Sequence, residues 1–172
     1  MQDKRGVVGL RGVMKLNNFD EDLKYEKENS KIFDDFYEKL LPTLSKIERA
    51  TVEQERQGID KILFLSDGRK IKVQEKIRRI DYGDFLIEFG HKNGFYKLGW
   101  IANIKAHFIF YLAGANIYIV SVLKLLAWIK QNKDYLKQLK WVKAYNEQGN
   151  YWTYSKAVKW DKLDFVKIYA KN

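Results

Sequence analysis

The chain has 172 residues, 46% hydrophobic and 31% charged, which excludes a disordered polymer and provides for one domain with a substantial core. It contains no cysteine, so disulfides and thiolate metal sites are excluded, and a cytoplasmic protein is expected. The formal net charge is +10, concentrated late: Lys124 to Asn172 holds eleven Lys against four acids, a net of +7, a balance that favours polyanions such as nucleic acid or an anionic membrane surface.

Met1 to Asn29 (1–29) is polar, contains glycine and shows no clear period, so a mobile arm is expected there. Its Arg5 and Arg11 could touch phosphate. Ser30 reads as an N-cap, with Asp34 and Asp35 near the helix start where the dipole favours them. Ile32, Phe33, Phe36, Leu40, Leu41, Leu44 and Ile47 fall at helical spacing, and Pro42, the one proline, should kink or restart that helix. Ala50 to Gln57 leads into a hairpin.

That hairpin, Gly58 to Arg78, organises the reading. Ile59, Ile62, Leu63, Phe64 and Leu65 form a strand-like run, and Ser66-Asp67-Gly68 is a turn signal. Ile71, Val73 and Ile77 then alternate with polar residues. A three-residue loop with Gly68 left-handed pairs Leu65 with Arg69 and Asp60 with Gln74. Opposed residues share a face. Asp60, Gln74 and Lys76 would then lie together, with Lys70 and Lys72 along the same face. Ile59, Leu63, Leu65, Ile71, Val73 and Ile77 would point into a core. A two-residue loop would instead oppose Asp60 and Glu75 and split the set.

After Arg78 and Arg79, Asp81 to Asp84 reads as a turn and Phe85 to Phe89 as a third strand, with Glu88 inside it. Glu88 could join a site, or pair with Lys76 or Arg78. His91 to Gly94 reads as a loop, and Leu98 to Lys105 as a short helical crossover. His107 to Ala113 and Asn116 to Val120 read as strands. The apolar run from His107 to Val120 holds Gly114 and Asn116 and falls short of the ~20 residues of a membrane span. No secretory signal core is seen in the first twenty residues. Val122 to Gln131 reads as a helix burying Leu123, Leu126, Ala127 and Ile129. From Tyr135 onward, Trp141, Tyr145, Tyr151, Trp152, Tyr154 and Trp160 interleave with lysines. Such aromatics pack a small sheet onto a core more often than they stack bases. Thr153 to Val158 and Phe165 to Ala170 are candidate strands. The fold class expected is α/β: a mixed central β-sheet flanked by helices, with a core over 30–134 and a basic, aromatic-rich C-terminal extension over 135–172 packed on it.

Gly58-Ile59-Asp60 followed by Val73-Gln74-Glu75-Lys76 resembles the PD-(D/E)XK nuclease superfamily, in the variant with Gln-x-Lys in place of Glu-x-Lys. The resemblance covers the span from about Ser30 to Val120. It implies a restriction-endonuclease-like αβββαβ core and a metal-dependent phosphodiesterase acting on DNA, of phage, mobile-element or restriction type. It implies Mg²⁺ (or Mn²⁺) held by Asp60, by Gln74 directly or through water, and by the Glu75 backbone carbonyl. Mg²⁺ accepts such hard oxygen donors and keeps several waters. Lys76 would position or help deprotonate the attacking water and stabilise negative charge. Lys70, Lys72, Arg78 and Arg79 sit where a phosphate backbone could lie. The Glu75 side chain, on the core-side face, reads as structural.

The departure is Gln74, a neutral donor where the superfamily usually has an acid. An upstream acid could complete the set. Glu38, Glu48, Glu53 and Glu55 are candidates. Glu55 is chosen because Glu-Arg-x-Gly-Ile-Asp is similar to some phage-type members; a salt bridge of Glu55 to Arg56 or Lys61 is the plainer alternative. The alternative function is a non-catalytic nucleic-acid-binding or interaction protein that retains a degenerate nuclease fold. The two histidines, His91 and His107, are too few for a His-rich metal site, and no P-loop or Rossmann glycine pattern is found. Substrate structure and oligomeric state stay open, a homodimer included.

Overall fold

The structure, a computed structural model, describes residues 19–146 and 150–170. The protein is mixed α/β. Its centre is a six-stranded sheet of β1 (Leu44–Arg49), β2 (Lys61–Leu65), β3 (Lys70–Arg78), β6 (Phe108–Ala113), β7 (Asn116–Ser121) and β10 (Lys167–Ala170), in that spatial order. β3 and β6 run parallel; the other neighbours are antiparallel. A second, four-stranded sheet is ordered β5 (Phe95–Leu98), β4 (Asp84–Asn93), β9 (Tyr151–Lys159) and β8 (Trp141–Asn146).

One face of the main sheet is covered by α1 (Phe19–Leu40). Phe33 and Tyr37 of α1 are fully buried against Leu63, Val73, Phe110, Leu112 and Ile117. These side chains recur three or four positions apart on the helix and two apart on the strands, so each element offers one apolar face. The helix starts well before Ser30, which lies inside it rather than capping it. Arg5 and Arg11, with the rest of 1–18, lie outside the described residues. At its other end Pro42 is decisive. The residue before a proline is pushed out of the α region, and after a turn at Leu41 to Leu44 the chain is extended as β1. Leu44 and Ile47, expected on the helix, are strand residues packed under it.

The opposite face of the main sheet meets the second sheet, α3 (Val122–Gln131) and α4 (Lys133–Gln138). Phe85, Ile87 and Val158 of the second sheet join Ile109, Tyr111 and Val120 of the main sheet with Leu125 and Leu136 from the helices. The expected third strand is therefore β4, but in another sheet. It runs on through the expected loop at His91 to turn at Gly94 into β5. The expected helix at Leu98 to Lys105 is only a one-turn 3-10 segment, Trp100–Ala102. The long link from β3 to its parallel neighbour β6 thus carries a hairpin rather than a helix. α3 has the expected bounds but a rotated buried face: Val122 and Leu125 are buried, whereas Leu123, Leu126 and Ala127 are exposed. The C-terminal segment is woven into both sheets, giving β8 and β9 to one and β10 to the other. Among the described residues, no helix is long and apolar enough to cross a membrane.

Candidate active site

The 58–78 hairpin closes through the odd-numbered loop. The Leu65 amide donates to the Arg69 carbonyl (2.9 Å), Gly68 is left-handed (φ 86°), and the Asp67 carboxylate accepts from the Arg69 amide (3.0 Å). The register runs Phe64 with Lys70, Leu63 with Ile71 and Lys61 with Val73. Ile71, Val73 and Ile77 therefore face α1, and the alternation places Lys70, Lys72, Gln74, Lys76 and Arg78 on the other face. Ile59 departs from the expected set. β2 begins only at Lys61, so the alternation does not reach back to Ile59, which is buried with Ile109 in the opposite core.

Asp60 is locked in the gap between strands. Its amide donates to the Val73 carbonyl (2.8 Å), its carbonyl accepts from the Ala50 amide (2.9 Å), and Oδ2 accepts from the Glu75 amide (2.6 Å). Glu55 is brought near by the short helix α2 (Val52–Glu55), capped at Thr51 by a reciprocal pair of bonds with Gln54. The chain leaves α2 through Gly58, which is left-handed (φ 68°); a Cβ there would lie 3.3 Å from Ile104 Cγ1 and 3.5 Å from Gln74 Nε2. Only glycine fits this corner without strain.

Burial pushes the Asp60 carboxyl up, and the negative charge of Glu55 adds to this; the Glu75 amide and the charges of Lys76 and Lys61 oppose it. Gln74 is 4% exposed, and its Oε1 is buried without a hydrogen-bond partner among the described residues. Lys76 lies over the Trp100 ring, 5.5 Å from its centroid. Glu88 is also raised by burial, against the charges of Lys76 and His91. The arrangement thus gathers Asp60, Gln74 and Lys76, with Glu55 and Glu88 close enough to feel Asp60 and Lys76 respectively.

Glu75 is turned the other way. Its Oε1 accepts from Tyr37 (2.9 Å) and meets Lys61 Nζ (3.0 Å), which also reaches Asp34 (2.6 Å). Burial raises the Glu75 carboxyl despite Lys61 and Tyr37. Its side chain is structural, and only its backbone borders the site. Lys61 is thus engaged by Glu75 and Asp34, and Arg56 lies 3.9 Å from Glu53. Arg78 is drawn off by Asp84 (2.6 Å) and the Tyr82 ring (4.3 Å to the centroid). Lys70 is exposed beside Phe64, Lys72 is half-buried, and Arg79 is exposed past the end of β3. Glu38 is exposed on α1, Glu48 pairs with Lys46 on β1, and Glu53 accepts from Gln57. Trp100 and the Tyr37–Glu75–Lys61–Asp34 network carried no local sequence signal, because each joins elements far apart in the chain.

The sign of the Asp60 shift makes a prediction. With its folded pKa raised, the stability tied to this group is full below the unfolded value and is lost as pH rises through the folded value. Asp60→Asn keeps an oxygen acceptor for the Glu75 amide and removes the charge. It is expected to be more stable than the wild type at neutral pH, with the difference shrinking on acidification. Urea unfolding at several pH values checks this; a variant less stable at neutral pH would contradict it.

Compared with protein-family models, curated proteins and solved structures, the chain matches none of them. The site is therefore read from its own chemistry. Asp60, just before β2, and Gln74 of β3 bring hard oxygen donors to the same end of the hairpin, a set suited to Mg²⁺ or Mn²⁺ rather than to a softer metal. Among the described residues, no cluster of three or more His, Cys, Asp or Glu is placed to hold a metal. A cation here would keep waters and take its remaining ligands from substrate.

Proposed function

We propose that this protein is a metal-dependent phosphodiesterase acting on DNA, with a restriction-endonuclease-like core and Asp60, Gln74 and Lys76 at its centre. The observation that carries the reading is the buried Gln74 Oε1, without a hydrogen-bond partner among the described residues, beside a carboxylate held above its ordinary pKa. An unpaired buried acceptor costs on the order of 1–3 kcal/mol, and such groups mark functional sites. The order α1, β1, β2, β3, then β6 parallel to β3, supports this core in its helix and sheet, with a hairpin and a 3-10 turn where the second helix was expected.

Asp60 and Gln74 would hold Mg²⁺ or Mn²⁺, with Glu55 near enough to bind through water. The bound ion would supply positive charge at the phosphate and an acidified water. The protein's own residues do the rest. Backbone bonds fix Asp60 in place. Lys76, steadied over Trp100, orients the attacking water and stabilises the negative charge growing on the phosphoryl oxygens. Lys70 and Lys72 on the same face attract the DNA backbone.

The test is incubation of the protein with duplex, single-stranded and branched DNA in Mg²⁺, Mn²⁺ or EDTA. Cleavage in metal and none in EDTA is expected. A second reading, binding without cleavage, draws on Gln74 being neutral while Glu75, the acid next to it, is spent on Lys61 and Tyr37. Salt-sensitive binding with no cleavage in any metal would establish it. Gln74→Glu adds a prediction: with a carboxylate restored, cutting should begin at lower metal concentration. An unchanged metal titration would leave Gln74 without the ligand role assigned to it.

A further inference from the structure

The second sheet has an outer half that the core does not use. Its β-bulge at Phe89 resets the register between β4 and β9. Beyond it, Tyr96, Lys92, Trp152 and Tyr145 form one row across all four strands. The next row is Leu98, Gly90, Tyr154 and Lys143, and the row beyond ends in Lys156 and Trp141. Opposed and alternate residues share a face, so these side chains stand on the same face as Phe85, Ile87 and Val158, which pack into the core. Past the core that face is open: Tyr96 is 57% exposed, Trp141 49% and Tyr145 38%.

The surface is pre-arranged. Tyr96 lies across Gly90, where a Cβ would sit 2.1 Å from the tyrosine oxygen, and its hydroxyl donates to the Phe89 carbonyl (3.1 Å). The Tyr145 and Trp152 rings are 5.1 Å apart. Lys143 reaches over Tyr154 (5.6 Å), and Lys156 over Trp141 (3.8 Å) while donating to the Leu139 carbonyl (2.6 Å). The three rows contain no Asp or Glu; of their three lysines Lys92 and Lys143 are exposed, while Lys156 is buried against Trp141.

We propose that this face binds single-stranded DNA, its aromatic rings stacking bases and its exposed Lys92 and Lys143 holding phosphates. Exposed rings among cations suit a polyanion whose bases are free to stack; in a duplex the base faces are covered. A second copy of the chain is disfavoured, because two such faces would bring lysines against lysines. The inference deepens the nuclease reading by naming a single strand as the part of the substrate held here. Binding is read in EDTA, so it stands or falls apart from catalysis. The face connects to the site through β4 and the 3-10 turn: the Gly99 amide donates to the Phe89 carbonyl (2.9 Å), and Trp100 lies beneath Lys76.

The experiment titrates the full chain with fluorescein-labelled oligothymidylate in EDTA, reading anisotropy and tryptophan quenching. Tyr145→Ala should weaken binding about tenfold, Tyr145→Phe should not, and Lys143→Glu should weaken it and flatten its salt dependence. Tyr145 and Lys143 are exposed, so wild-type circular dichroism is expected for all three. Folded Tyr145→Ala and Lys143→Glu proteins that bind as tightly as wild type would overturn the proposal. So would a duplex of equal length competing as well as the single strand. Sedimentation showing a wild-type dimer that these substitutions dissociate would give the face to a second copy instead.

Discussion

Asp60→Ala and Lys76→Ala are each expected to lower metal-dependent cleavage by about 10²–10³-fold or more while DNA binding persists. The reasons differ. Asp60 is the one carboxylate that backbone bonds hold on the Gln74 face of the hairpin, and its loss removes the charged donor from the set. Lys76 projects from β3 on the same face, over Trp100, where its charge reaches both Asp60 and Glu88. Truncating Asp60 also strands the Glu75 amide, so Asp60→Asn is the cleaner comparison: it keeps the bond, removes the charge, and should be as inactive as the alanine variant. Cleavage assays beside anisotropy binding on the same preparations read the two effects separately. Activity undiminished in the Asp60 or Lys76 variants would place catalysis elsewhere.

The second large effect is on stability. Lys61→Ala is expected to cost about 3–5 kcal/mol, because it leaves Glu75 buried without its cation. Folded proteins have only about 5–15 kcal/mol in hand, so the variant should unfold at much lower urea concentration. Lys61 is 5% exposed and Glu75 11%, while Asp34, the third member, is 39% exposed. Asp34→Ala should therefore cost much less. Joint replacement, Lys61→Met with Glu75→Gln, should recover most of the loss, since the penalty lies in the unpaired charge rather than in the absence of a pair. Glu75→Gln alone should leave the metal dependence of cleavage unchanged, which separates a structural carboxylate from a ligand. A loss below about 1 kcal/mol for Lys61→Ala would mean that Glu75 is solvated or protonated in the folded protein.

Local chemistry in the sequence determined the hairpin. Ser66-Asp67-Gly68 selects an odd loop, Gly68 supplies the left-handed residue, and the register follows by counting. That register alone placed Gln74 and Lys76 on one face and Glu75 on the other, since strand side chains alternate strictly. The bounds of α3 were also legible, because Ser121 caps it and an apolar run follows. What the sequence could not decide was which partner each element meets. Leu44 and Ile47 suit a helix stripe as well as a strand, and β1 exists because β2 offers it an edge. β4 was readable as a strand but not as a member of a second sheet, since its partner β9 lies about seventy residues away. The buried face of α3 was set by what packs on it, so Leu123 faces water although its type suits a core. Lys61 found Asp34 and Glu75 for the same reason. Loops, caps and alternation act over a few residues, whereas packing joins residues that only the folded chain brings together.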